Sequence, residues 1–178
     1  MTQLKYGLFL GLVGAICTIL LAATHYVTAP IIRANQEAAI RAAIDEAFPG
    51  FAEFTTIMSL ENGDEISEPY ILEVQRIYDS AGGTMGFIYT SSVNGFAGPI
   101  LHIVGVNTDA TFASFAVISH GETPGFGTFI EDAEFEELVQ GLAPGATIDI
   151  RTGATGTSGG IQRSLSAIGR HFQTVGGN

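Results

Sequence analysis

The chain has 178 residues, 46% of them apolar, with 18 acidic against 7 basic side chains and a net charge of −11. That length suits one domain plus attachments. The acidic balance argues against nucleic-acid binding, because no basic stripe is available to meet phosphates. Cys17, the sole cysteine, lies in an apolar run. It allows no internal disulfide and no cysteine-held zinc or iron–sulfur site.

In chain order, the first element is that apolar run. Tyr6 to Val27 contains no Asp, Glu, Lys or Arg. Twenty-two helical residues span about 33 Å, enough to cross a bilayer. Gly7, Gly11 and Gly14 lie near one face and suit close contact with another membrane helix. Lys5 and the small residues Ala22-Ala23-Thr24 would also serve a cleaved leader. The run is long for a leader and leads straight into a helical pattern, so a retained anchor over 1–28 is the expectation. Lys5 precedes the span while Arg33 and Arg41 follow it, so charge does not orient it.

Pro30 marks a bend or a fresh helix start. Ile31 to Phe48 then reads as an amphipathic helix with Ile32, Ile40, Ile44 and Ala47 on one face. Pro49-Gly50 stops it. Residues 29–50 are thus a stalk, and 51–178 form the domain. Within the domain, Ile71–Tyr78 and Met85–Thr90 read as a hairpin turning at Gly82-Gly83. Leu101–Val106 and Phe112–Ser119 read as a second hairpin, buried on both faces. Glu131–Leu142 reads as a helix with an acidic start, and Pro144-Gly145 ends it. Ile148–Ile150 reads as a short strand feeding a hydroxyl-rich loop, Thr152–Gly160, with Ser158 capping a helix from Ile161 to Thr174. The fold class is α+β: a single N-terminal transmembrane helix, then an antiparallel sheet with packed helices.

Two loops could hold a ligand. Thr152–Gly160 combines hydroxyls and glycines ahead of a helix, which suits a phosphate. It is neither a P-loop, lacking the lysine, nor a dinucleotide fingerprint, lacking the βαβ setting. His120-Gly-Glu122-Thr123-Pro-Gly125-Phe126-Gly could seat a planar aromatic ligand. By composition alone, both loops also read as ordinary turns. No nucleophile elbow and no zinc-spaced histidines are present, so no hydrolase site and no metal site are expected.

Asp149-x-x-Thr152-Gly-Ala-Thr155-x-Thr157 resembles the flavinylation motif of the FMN-binding domain family. The segments 120–127 and 95–100 resemble that family's Glu-Thr-Pro-Gly-Leu-Gly and Gly-Tyr-x-Gly-Pro-Ile segments. The anchor with Thr28-Ala-Pro-Ile-Ile32 is similar to the start of its RnfG branch. The resemblance implies an FMN joined by phosphoester to Thr157, which the residues alone could not choose over Thr152, Thr155 or Ser158. Asp149 stands at the motif's acidic position. Gly156 fills its variable position and lends backbone freedom beside the attachment point.

Thr152, Gly153, Ala154, Thr155 and Ser158 would surround the phosphate, and Glu122, Thr123, Gly125 and Phe126 would face the ring. A phosphodiester has one negative charge where free FMN phosphate has nearly two. Backbone amides and a helix start can then suffice without lysine, with Arg151 as a helper. By the same resemblance the chain would be an electron-transfer subunit of an ion-translocating ferredoxin:NAD oxidoreductase, with no independent catalysis expected. Its partners would be the other membrane and peripheral subunits, a flavin transferase during maturation, and the lipid bilayer. Its place would be the cytoplasmic membrane, crossed once, with the C-terminal domain on the extracytoplasmic side. A membrane-anchored assembly module without flavin is the alternative.

Overall fold

The computed structural model describes residues 2–149 and 151–175. Contacts divide the chain into Met1–Ala38 and Ala39–Asn178.

The first element is α1, Thr2–Ala47. Where two helices are expected, one runs through, with Pro30 inside it. Proline there removes a single backbone hydrogen bond, and apolar helices tolerate that loss when the flanking turns are intact. Within α1 an 18-residue window reaches a mean hydropathy of 2.2, so the helix is long and apolar enough to cross a membrane. The Thr18 and Thr24 hydroxyls donate to the Gly14 and Leu20 carbonyls, each at 2.9 Å, so neither presents an unpaired hydroxyl. Leu8, Leu10, Leu12, Ile19 and Leu21 are all exposed, which suits a lipid solvent. Ile32 is exposed as well, whereas Ile44 on the same expected face is buried.

The second unit is built on a five-stranded antiparallel meander in the order β1 to β5. The strands are β1 Glu53–Ser59, β2 Ile71–Tyr78, β3 Thr84–Asn94, β4 Pro99–Asn107 and β5 Phe112–Ser119. The β2–β3 turn is tied by the Asp79 carboxylate, which accepts the Ala81 and Gly83 amides at 2.8 and 2.7 Å. Both expected hairpins form, and β4 is buried at five successive positions, His102–Val106. That double burial follows from helical cover on both faces. On one face Ala43, Ile44 and Phe48, from the end of α1 and the residue after it, pack on Ile77, Ile88 and Ile103. On the other, α2 (Ala133–Val139) and α3 (Thr155–Val175) close a larger core with Tyr89, Val104, Phe115, Ile161, Leu165 and Ile168. The acidic helix expected over Glu131–Leu142 is shorter, preceded by a 3₁₀ turn at Thr128–Glu131.

Strand β1 was not legible in the sequence. It is an edge strand with a register shift between Thr56 and Met58, and its residues are mostly half-exposed. The bulge between Thr56 and Met58 breaks the period-2 pattern, and both strand faces are partly open to water, so no clean apolar–polar alternation marks the strand. The strand expected at 148–150 does not form at Ile148 and Asp149, and Ile150 lies outside the described residues. Instead the Ile148 amide donates to the Gln162 side chain at 2.6 Å.

The largest departure is at α3. It starts at Thr155, six residues before the expected Ile161, and Ala154 is its cap, accepting the Ser158 amide at 2.9 Å. Three glycines in its first turns argue against a helix by propensity. Two of them are required by packing instead. A Cβ at Gly160 would lie 2.8 Å from the Asn94 carbonyl, and one at Gly156 would lie 3.3 Å from Phe96. The glycines let the helix settle against the end of β3 and the loop after it.

Candidate functional site

A cavity of about 440 Å³ opens where three segments meet. Phe96 comes from the β3–β4 loop. Glu122, Thr123, Phe126 and Gly127 come from the segment after β5. Gly153 to Thr157 supply the approach and first turn of α3.

Each wall follows from local chemistry. The first three amides of α3, at Thr155, Gly156 and Thr157, have no intrahelical acceptor. All three residues line the cavity, so an anion there meets unpaired N–H groups at the positive end of a helix. Phe96 and Phe126 are 79% and 62% exposed, although large apolar rings normally bury. A cavity flanked by two exposed rings is ready for a flat apolar partner.

At the centre, Thr157 is fully buried, and its hydroxyl donates to Glu122 Oε2. The other oxygen of Glu122 accepts the Ala97 amide at 2.9 Å. Positions 95 and 127 are glycine because Glu122 fills the space a Cβ would need at each. The Glu122 amide donates to His120 Nδ1 at 3.0 Å, and His120 Nε2 lies 3.0 Å from Glu131. The imidazole therefore has its proton on Nε2, facing the carboxylate, and holds the Glu122 backbone from below.

Behind this site, α3 is tied to the sheet by buried polar pairs. His102 Nε2 lies 2.8 Å from Ser164 Oγ, and His171 Nδ1 lies 3.3 Å from the Tyr89 hydroxyl. Burial pushes the His102 imidazole down to about 4, against a smaller upward pull from the Ile100 carbonyl. Burial also lowers His171, opposed by Glu68, and raises the Tyr89 phenol.

Of the residues singled out in the sequence, Gly153, Ala154, Thr155, Thr157, Glu122, Thr123 and Phe126 come together at the cavity. Glu122 reaches the Thr157 hydroxyl rather than standing outward as a ring contact. Thr152 is exposed and outside the lining. Ser158 is buried on the far side, donating to the Ala154 carbonyl and accepting the Arg151 amide, so it orders the turn. Gly125 lies off the cavity with φ +80°, and its amide donates to Thr128. Asp149 and Arg151 line a separate depression with Phe129, whose ring sits 5.1 Å beneath the guanidinium. Gly156 is a helical packing residue rather than a source of loop freedom. Phe96 was missed as a site residue. Its signal was an aromatic between two glycines in a turn, which sequence alone gives no reason to expose.

A buried hydroxyl, helix-end amides and paired exposed rings around one cavity define a class of protein. The chemistry of that lining suits a ligand with an anionic tail and a flat aromatic head. Comparisons with known proteins agree. Residues 1–47 match the RnfG N-terminal region, and residues 95–168 match the FMN-binding domain. The chain is 28% identical over 162 residues to the G subunit of an ion-translocating oxidoreductase complex from Methanosarcina acetivorans, covering 86% of this chain and 85% of that one. It is 29% identical to the G subunit of the Na⁺-translocating ferredoxin:NAD⁺ oxidoreductase complex of Acetobacterium woodii, covering 96% and 92%. NqrC of Shewanella oneidensis is a similar solved structure, with a TM-score of 0.49 and 26% identity over 59% of each chain. Two stretches of the chain thus have family matches, an FMN-binding domain over residues 95–168 and an RnfG-type N-terminal region over residues 1–47.

Proposed function

We propose that this chain is a membrane-anchored electron carrier that holds FMN covalently, through a phosphoester to Thr157, within an Rnf-type ferredoxin:NAD oxidoreductase complex. One observation bears most of the weight. Thr157, its hydroxyl buried against Glu122, lies in the first turn of α3 among the residues that line a cavity with two exposed aromatic rings. The amides of Thr155, Gly156 and Thr157 would hold the phosphodiester, and Phe96 and Phe126 would flank the ring system. Bound there, FMN supplies one-electron chemistry. The residues orient it, exclude water from the linkage and keep it from dissociating.

Residues 1–28 serve as the anchor, 29–50 as the stalk and 51–178 as the flavin domain, which we place on the extracytoplasmic side. The partners are the remaining subunits of the complex, with a flavin transferase acting during maturation. The test is expression beside such a transferase, followed by denaturing gel fluorescence and intact mass. The wild-type chain gains the mass of one FMN and fluoresces, and Thr157→Ala does neither. A wild-type chain of bare-sequence mass under those conditions overturns the proposal.

A further inference from the structure

Glu122 is out of place as a structural residue. It is 6% exposed, and among the described residues no lysine or arginine pairs with it. Burying a carboxylate without a counterion is costly, and a glutamine could accept the same bonds at less cost. Yet the fold fixes it from every side. Gly95 and Gly127 make room for it, the Ala97 amide holds one oxygen, and His120, backed by Glu131, holds its backbone. Its free oxygen is aimed at one group, the Thr157 hydroxyl.

An alcohol is a weak nucleophile until a base removes its proton. A working pair consists of nucleophile and base in hydrogen-bond contact, with the base oriented by a third group. Thr157, Glu122 and the Ala97 amide meet that description. Resting on the reading of Thr157 above, we infer that Glu122 is the general base for flavin attachment. The chain thus supplies a catalytic residue for its own modification. Thr157 Oγ1 attacks the phosphorus on the FMN side of FAD, a flavin dinucleotide presented by the transferase. An oxygen–phosphorus bond forms there, and the pyrophosphate bond to the AMP half breaks. AMP leaves with the bonding pair, and the threonine proton passes to Glu122 Oε2. Nothing is oxidised or reduced. The protonated carboxyl then faces the new diester as a hydrogen-bond donor, so no second negative charge stands beside the phosphate.

The test uses the full-length chain in detergent with a flavin transferase, FAD and magnesium, and follows attachment by intact mass and gel fluorescence. Wild type is modified; if it is not, the reading of Thr157 fails rather than this one. With wild type modified, Glu122→Gln slows kcat for attachment about 100-fold or more, the usual range for loss of a general base. Its far-UV circular dichroism and cooperative melting stay intact. Formate restores attachment to Glu122→Ala, a rescue that a merely structural role does not give. Attachment to Glu122→Gln at the wild-type rate overturns the inference. So does a loss confined to the KM for the chain, which marks a docking role. If the Gln variant does not fold, the Ala variant in formate decides: recovery supports the base, and no recovery overturns it.

Discussion

The two faces of the sheet are covered in different ways. On the face under Ala43, Ile44 and Phe48, the side chains of Ile77, Ile88 and Ile103 meet aliphatic and aromatic neighbours. The face under α3 mixes its apolar core with buried polar pairs: His102 with Ser164, Tyr89 with His171, and Glu122 with Thr157. Apolar contact is strong but tolerant of small slips, whereas a buried hydrogen bond fixes distance and direction. Both faces supply stability, the α3 face through the larger apolar core. The second locks α3 in register on the sheet, and so sets where its first turn meets the cavity.

That contrast can be broken in four places. Phe48→Ala cuts deepest, removing a fully packed ring from the apolar face and costing about 3–5 kcal/mol. Chemical denaturation measures it, and the protein still folded takes up flavin as before. Next comes acid. The folded His102 imidazole titrates near 4 against an ordinary 6.5, so the unfolded chain binds the extra proton first. Its contribution is intact above about pH 6.5 and is lost as pH falls toward 4, on the order of 3 kcal/mol in all. Melting curves across that window should show the slope, and His102→Leu should flatten it. Third, Gly160→Ala drives a methyl toward the Asn94 carbonyl and costs about 1–3 kcal/mol, with α3 displaced at its N-terminal end. Calorimetry gives the loss, and slower flavin attachment reports the displacement. The smallest effect belongs to Arg170→Ala. Its guanidinium pairs with Glu68 at 2.7 and 2.9 Å, but at an exposed edge where water screens the charges, and the melting midpoint should hardly move.

The sheet was readable because β2 to β5 are made of β-branched and aromatic runs between turn residues, and their order along the chain is their order in space. The start of α3 was not. Gly156, Gly159 and Gly160 depress helix propensity, and only the nearness of Asn94 and Phe96 explains why small residues stand at 156 and 160. The cavity was half readable. Motif resemblance located Thr157, Thr155 and the 120–127 segment. What no spacing could reveal is that Glu122 and Thr157, thirty-five positions apart, share a hydrogen bond.

The burial of Thr157 also bears on timing. Its side chain has no solvent exposure, so a bulky transferase active site cannot reach it in the resting fold. On the proposal above, attachment needs a local opening that admits the flavin dinucleotide while Thr157 stays in contact with Glu122, and local openings cost less than global unfolding. Once that opening closes again, the same burial would shelter an ester at Thr157 from water and from any phosphodiesterase, so that a step slow to begin becomes hard to undo.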